Sequence, residues 1–151
     1  MQRRLFIQTL AAVATSSALP LLAQTAKPQV EVWKDASCGC CKDWIAHMQS
    51  NGFSVKAHDS GNTAARARLG LPQKLGSCHT ALVGGYVVEG HVPASDVKRL
   101  LKERPKALGL AVPGMPVGSP GMDGPEYGGR KDRYEVLLVQ ADGSTRTFSR
   151  Y

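Results

Sequence analysis

The chain of 151 residues lacks features that mark several large classes of protein. Its apolar run from Leu5 to Leu22 is too short for a membrane span, and threonine, serine and proline interrupt it. Aromatic residues make up only 6% of the sequence, and no internal repeat is present. The basic residues, from Arg66 to Arg133, are dispersed instead of gathered with aromatic side chains, so we interpret them as a solvated surface. We therefore expect no membrane span after signal removal and no nucleic-acid partner.

The N-terminal residues have the layout of a secretory signal peptide. A short basic start precedes the apolar run, and small residues follow around Ala23, where cleavage is expected. Residues 1–23 are accordingly assigned to the signal, and residues 24–151 to a single domain that functions in the periplasm. The motif Arg3-Arg4-Leu5-Phe6-Ile7 also resembles a twin-arginine export signal, the alternative being an ordinary basic region. Loss of two arginines lowers the formal charge from +7 to +5, with 17 basic and 12 acidic residues remaining.

The rest of the chain alternates strand and helix patterns. Period-2 and helical apolar spacings predict strands at 30–33, 53–58, 80–83, 86–89, 134–139 and 145–148, with helices at 42–50, 63–69 and 96–104. Ten of the seventeen residues in 113–129 are proline or glycine, which predicts a loop. A βαβ start followed by a hairpin and a helix is the thioredoxin-like arrangement. The predicted fold is therefore α/β (α+β), with a central mixed sheet, flanking helices and an extra C-terminal hairpin.

Three of the four cysteines occupy four consecutive positions, Cys38-Gly39-Cys40-Cys41, between the first strand and the first helix. A C-x-x-C pair at a helix N-terminus favours thiolates, which suits both a redox dithiol and a metal site. Cys40 favours the metal, because a redox pair gains nothing from a third sulfur in its loop. Adjacent Cys40 and Cys41 would also form only a strained disulfide ring. Several thiolates at one point are what a soft ion prefers.

Cys78 stands directly before the first strand of the predicted hairpin. In a thioredoxin-like fold that position adjoins the C-x-x-C turn, so the fold predicts that all four cysteines converge. A single zinc ion usually takes ligands from two separated C-x-x-C pairs, whereas thiolates that bridge several Cu(I) ions suit a contiguous run. We predict a multinuclear Cu(I) centre on Cys38, Cys40, Cys41 and Cys78. Zinc and a purely redox or disulfide role are the alternatives.

Four motifs resemble those of the CopG-type copper-resistance proteins, a family much of which is described as a domain of unknown function. The motifs are Cys38-Gly39-Cys40-Cys41-Lys42, Ser77-Cys78-His79-Thr80-Ala81, Val88-Glu89-Gly90-His91-Val92-Pro93-Ala94 and Gly109-Leu110-Ala111-Val112-Pro113-Gly114-Met115-Pro116. The resemblance implies a thioredoxin-like, periplasmic, copper-binding protein whose motif cysteines hold the metal. Expected partners are copper ions and another periplasmic copper protein. The resemblance supports copper binding more firmly than catalysis, so a thiol–disulfide or copper oxidoreductase is the alternative function.

Two histidines are further candidate ligands. His79 follows Cys78 directly, and His91 lies at the end of the hairpin, where it can face the same side. The alternative for His79 is a loop side chain that hydrogen-bonds a backbone carbonyl. We expect His47, on the first helix, to lie at the surface, and His58 to be solvated.

Two methionines in the proline- and glycine-rich loop are the last candidates. Met115 and Met122 carry thioethers, which are soft Cu(I) ligands, so the loop could form a lid over the sulfurs or a path for incoming copper. The alternative is that they fix the loop to the core. Met48 is predicted to be a core residue of the helix, and Trp33 and Trp44 to shield the cysteine turn from water.

Overall fold

The computed structural model describes residues 26–151, and the predicted signal peptide lies outside these described residues. The strands are β1 (Gln29–Lys34), β2 (Ser54–His58), β3 (His79–Val83), β4 (Tyr86–Glu89), β5 (Gly109–Ala111), β6 (Glu135–Val139) and β7 (Thr145–Arg150). The helices are α1 (Gly39–Ser50), α2 (Thr63–Arg68) and α3 (Ala94–Glu103), and short 3₁₀ turns span Gln73–Leu75 and Pro125–Tyr127. Between residues 26 and 151, no helix combines the length and the apolar character that a bilayer span requires.

All seven strands form one mixed sheet in the order β2-β1-β3-β4-β5-β6-β7. Strands β1 and β2 are parallel, with α1 as the crossover between them, and β3 runs antiparallel to β1. The register pairs Lys34 with His79, so the end of β1 lies beside the start of β3. The predicted α/β fold with a central mixed sheet is confirmed, and its first four strands are compatible with the thioredoxin-like arrangement. This pairing brings Cys78 to the turn that carries the other three cysteines.

Three C-terminal strands widen the sheet beyond β4. Strand β5 runs parallel to β4, while β6 and β7 are antiparallel and form the predicted C-terminal hairpin. Strand β5 was not predicted, because three residues are too few to show a period. Gly109 permits this pairing, since a Cβ atom at that position would collide with the carbonyl group of Val87.

Helix α1 is held to the sheet by one buried face. Cys41, Trp44 and Met48 recur at helical spacing and are all fully buried, so the prediction that Met48 is a core residue is confirmed. The Trp44 indole Nε1 donates a hydrogen bond of 2.9 Å to the carbonyl oxygen of Val92. This bond ties the helix that carries the cysteines to the segment that follows β4.

Not every basic side chain belongs to the solvated surface. Arg66 is only 5% exposed, which corrects the prediction for this residue, and it pairs with Glu89, which is fully buried on β4. Lys34 is also buried, and its Nζ contacts the Asp59 carboxylate at 2.5 Å. Arg66 lies beside Cys78 through the Ser77 carbonyl, and Lys34 is the last residue of the strand that precedes the cysteine turn.

Candidate metal centre

The cysteine turn coincides with the start of a helix. Helix α1 begins at Gly39, three residues before its predicted start, and Cys38 is its N-cap residue without a side-chain capping bond. Cys40 and Cys41 therefore lie in the first turn, where backbone N–H groups lack helical partners and the helix dipole is positive. Cys41 is fully buried, whereas Cys38 and Cys40 are partly exposed. The position favours negative charge on these sulfurs.

The four sulfur atoms converge, as the fold had predicted. All lie within 4.8 Å of one another, with 3.6 Å between Cys38 Sγ and Cys40 Sγ and 3.8 Å between Cys40 Sγ and Cys78 Sγ. Cys38 and Cys41 are joined in a disulfide, while Cys40 and Cys78 are free thiols. The disulfide is the state that the redox alternative requires. Ligation of metal by all four sulfurs requires that this bond first be reduced.

A buried polar network fixes the segment that carries Cys78. The Ser77 backbone N–H donates to Glu89 Oε1 at 2.7 Å, and Arg66 Nη2 donates to the Ser77 carbonyl at 2.6 Å. Thr80 Oγ1 donates to the other oxygen of Glu89 at 2.6 Å. Burial raises the pKa of Glu89, although the bonds from Thr80, Ser77 and Arg66 oppose the shift. This network was not predicted from the sequence. Its one signal there is the acidic Glu89 at the end of the otherwise apolar strand β4.

The Cys78 thiol is protonated at neutral pH in the metal-free molecule. Burial, followed by the neighbouring Cys40, raises its pKa to about 12. Metals bind the thiolate and not the thiol, so ligation at Cys78 must release a proton. Metal affinity at this sulfur should therefore increase with pH.

Both predicted histidines lie against Cys78. His91 Nε2 is 3.0 Å from Cys78 Sγ, and its Nδ1–H donates to the Pro120 carbonyl oxygen at 2.8 Å, which leaves the Nε2 lone pair facing the sulfur. His79 Nδ1 is 3.3 Å from the same sulfur. Both rings are fully buried, and burial lowers the pKa of each imidazole. Buried neutral imidazoles have the protonation state that a metal requires.

The two predicted methionines occupy different environments. Met122 is 8% exposed, and its sulfur accepts a hydrogen bond of 3.3 Å from the Tyr127 hydroxyl. Met115 is 52% exposed and lies at the rim of an open cavity of about 420 Å³, which Cys78 also lines. The loop itself packs on the cysteine turn, because a Cβ atom at Gly121 would lie only 2.6 Å from the Cys40 carbonyl oxygen.

The two remaining histidines differ from their predicted positions. His47 is half-buried, and its Nε2 accepts a hydrogen bond of 3.1 Å from the Ala94 backbone N–H at the start of α3. His58 is not freely solvated, because it contacts Glu31 at 2.7 Å and stacks on Trp33 with 5.3 Å between ring centroids. Neither imidazole faces the sulfurs, so both serve as reference positions outside the candidate centre.

The fold and these side chains define a small α/β protein whose mixed sheet gathers soft sulfur and imidazole groups at the start of one helix. The family model described as "Protein of unknown function, DUF411" matches residues 75–122. Two solved structures of a copper resistance protein copG, form 1 and form 2, are 47% and 46% identical to this chain, each with a TM-score of 0.76. Each match covers 83% of this chain and 98% of the other. No curated protein gives a significant match. The chain belongs to the CopG family of copper resistance proteins.

Proposed function

We propose that this chain is an exported copper-binding protein that sequesters or transfers Cu(I) for copper tolerance. The observation that carries the proposal is the convergence of four cysteine sulfurs within 4.8 Å at the N-terminus of α1. Its relatives of solved structure are copper resistance proteins, which supports copper as the metal. Thiolates select Cu(I) over harder ions, and the helix dipole stabilises their charge.

A multinuclear thiolate centre suits this ligand run best. Cys38, Cys40 and Cys41 come from one turn, so they cannot easily surround a single tetrahedral ion, whereas bridging sulfurs can share several. Four Cu(I) ions would also balance the charge of four thiolates. Zinc is the less favoured metal because its structural sites usually draw on two separated C-x-x-C pairs.

Histidine and methionine side chains can complete the centre. His91 presents a free Nε2 lone pair, and His79 directs Nδ1 at the same sulfur, so both are candidate ligands beside Cys78. Exposure of Met115 beside the cavity supports a role in copper uptake or transfer to another periplasmic copper protein. Met122 is the weaker candidate because its sulfur already accepts the Tyr127 hydroxyl.

The test is metal analysis of the reduced protein. We expect that protein loaded anaerobically with Cu(I) and exposed to a competing chelator retains several copper ions, with sulfur-dominated X-ray absorption spectra. Cys38→Ser and Cys78→Ser should each lower the copper count, while His58→Gln, which alters a histidine outside the centre, should leave it unchanged. Loss of all copper to the chelator would contradict the proposal, and so would full copper retention in a variant that carries both Cys38→Ser and Cys78→Ser.

Export has its own test. Residues 1–23 fused to a reporter should direct the reporter to the periplasm, and replacement of Arg3 and Arg4 by lysine should block export only if the twin-arginine route is used. A reporter that stays in the cytoplasm would remove the export part of the proposal and leave copper binding untouched.

The disulfide favours a second candidate function, a thioredoxin-like oxidoreductase that acts on thiols or copper. Cys40 Sγ lies 3.6 Å from the disulfide sulfur of Cys38, a distance from which a thiolate can begin exchange. This candidate predicts insulin reduction or Cu(II) reduction that depends on Cys38 and Cys41. A disulfide reduction potential below about −300 mV, typical of structural disulfides, together with no turnover, would exclude it.

A further inference from the structure

The open cavity of about 420 Å³ beside Cys78 has lining residues that the copper centre does not use. Its lining combines the sulfur-bearing Cys78 and Met115 with the polar Arg66 and Gln73. Pockets of about 300–1,000 Å³ have the size that holds small organic molecules, whereas a bare copper ion needs far less space. The cavity is therefore larger and more polar than the passage of copper alone requires.

Arg66 places a buried cation in the wall of this cavity. Its Nε donates to Glu89 Oε1 at 2.9 Å, and its Nη2 donates to the Ser77 carbonyl oxygen at 2.6 Å. Nη2 also lies 2.7 Å from Glu89 Oε1. A guanidinium carries N–H groups on each of its nitrogens, so these contacts leave Nη1 with both of its hydrogens. That edge of the side chain can donate to an acceptor in the cavity.

Gly76 leaves the same edge of the guanidinium uncovered. A Cβ atom at Gly76 would lie 3.0 Å from Arg66 Cζ, from Arg66 Nη1 and from the Gln73 carbonyl oxygen. The backbone of Gly76 has φ −64° and ψ 146°, which any residue can adopt, so its conformation does not require glycine. Close approach of the guanidinium and the Gln73 carbonyl therefore accounts for glycine at this position.

The chemistry of the lining indicates the kind of molecule that fits. Within the described part of the chain, the cavity is lined by one cation and no carboxylate, which favours an anion. A carboxylate suits Arg66 because charge-assisted hydrogen bonds are about twice as strong as neutral ones. Cys78 and Met115 add sulfur to the same lining, where copper(I) held by a thiolate could be accepted. A small molecule with both a carboxylate and a thiol matches the two parts of the lining.

We propose that this cavity binds a low-molecular-weight thiol that bears a carboxylate, with the carboxylate at Arg66 Nη1 and Gln73, and that this molecule delivers copper(I) to Cys78. The copper–sulfur bond to the small thiolate breaks as the bond to Cys78 forms, and the Cys78 proton passes to the departing thiolate. Copper stays cuprous, so the step needs neither an oxidant nor a reductant. The inference rests on the proposed function for its cargo and adds the class of molecule that supplies it.

Binding is tested without metal. The probe is S-methylglutathione, whose blocked sulfur cannot exchange with the disulfide. Titrated into the full protein in its disulfide form, it should shift the amide resonances of residues 73–78 and 114–115, with a dissociation constant in the millimolar range or tighter. The dimethyl ester of the probe, which lacks the carboxylates, should bind at least about 10-fold more weakly.

Two variants and a matched control examine the lining. Gly76→Ala should weaken probe binding at least about 10-fold, because its methyl group covers Nη1 while the ion pair of Arg66 with Glu89 stays intact. Gln73→Ala, at an exposed position of the same turn, should weaken binding by a smaller factor and provides a second variant if Gly76→Ala disturbs the turn. Lys74→Ala removes an exposed charge from this turn but not from the lining, so it should keep the affinity.

Copper delivery is measured separately on the reduced protein. Gly76→Ala should slow transfer from the copper(I) complex of glutathione, not from that of glutathione dimethyl ester, and should leave the final copper count unchanged.

The proposal is overturned if the probe does not bind, if its ester binds equally well, or if Gly76→Ala and Gln73→Ala both keep full affinity. It is also overturned if Lys74→Ala loses as much affinity as Gly76→Ala, or if transfer from glutathione is equally fast with and without Gly76→Ala. A low copper count would contradict the proposed function without changing probe binding, so the two failures are distinguishable.

Discussion

Replacement of Glu89 by glutamine removes one charge from the buried network behind Cys78. Arg66 Nη2 lies 2.7 Å from Glu89 Oε1, and the two side chains are 7% and 0% exposed. Glutamine keeps the size of the side chain but leaves the guanidinium without a counter-charge in the interior. Breaking a buried ion pair in this way costs about 3–5 kcal/mol. Because burial raises the pKa of Glu89 in spite of Arg66, the pair is only partly compensated, and we expect a loss near 3 kcal/mol.

The chain offers a matched control at the surface. Arg150 Nε lies 2.7 Å from Glu135 Oε1, which is the same separation, but these side chains are 75% and 42% exposed. An exposed ion pair contributes about 0–1 kcal/mol, so Glu135→Gln should change the free energy of unfolding by no more than that. Both variants remove one carboxylate charge at the same distance from a guanidinium, but Glu89 also accepts hydrogen bonds from Ser77 and Thr80. The difference between the two variants therefore measures the buried network as a whole.

The assay is denaturant unfolding of the metal-free protein at neutral pH, with the disulfide intact in every sample. Cu(I) affinity of the reduced protein provides a second readout, because Glu89 accepts the Ser77 N–H and Arg66 binds the Ser77 carbonyl beside Cys78. We expect Glu89→Gln to weaken affinity and Glu135→Gln to leave it unchanged. If the two variants lose equal stability, the argument from burial is refuted.

Three further predictions concern the frame of the centre. Gly121→Ala should destabilise the protein by about 1–3 kcal/mol more than Gly129→Ala in denaturant unfolding. Both glycines have positive φ, but only Gly121 packs against α1. Equal losses in the two variants would contradict this prediction. Burial lowers the pKa of His47, so below pH 6.5 the unfolded chain binds the proton first and stability falls. His47 should contribute up to about 1.4 kcal/mol per pH unit to this loss, in addition to the contributions of buried His79 and His91. Unfolding at pH 7.5 and 5.5 checks this: His47→Gln should lose less stability between the two pH values than the unchanged protein, and an identical loss in both would refute the prediction. Trp44→Phe removes a buried hydrogen bond and ring volume and should cost about 2–4 kcal/mol in unfolding experiments, whereas a loss below 1 kcal/mol would be inconsistent with that packing.

Local sequence signals were sufficient for most of the fold. Alternating apolar residues located the strands that pair around β1, and the glycine pair at 84–85 located the β3–β4 hairpin. The start of α1 was placed too late, because cysteine and glycine at its N-terminus carry no strong helical preference. Strand β5 escaped notice because its pairing with β4 is a tertiary contact.

The sulfur atoms of the centre were predictable because the fold implied their convergence. The contacts around them were not, since each joins residues distant in the chain. His91 receives its orientation from the Pro120 carbonyl. Cys78 is held through Glu89 and Arg66, and in the sequence Arg66 looks like one more surface cation. Secondary-structure propensity and residue spacing describe residues that are close in the chain, so they cannot identify contacts between distant residues.

The loop that supplies the Pro120 carbonyl gives the centre a thermodynamic consequence. Its glycine backbone lies on the first turn of α1, and its carbonyl orients His91, so the centre combines segments from four distant parts of the chain. A metal held there binds only the folded arrangement and stabilises it by mass action, by about 2.7 kcal/mol when free metal exceeds its dissociation constant 100-fold. Detachment of this one loop would remove the carbonyl that orients His91 without opening the sheet, which gives the proposed centre a local route for metal release. Variants that bind copper more weakly should therefore also be cleaved faster by proteases within this loop.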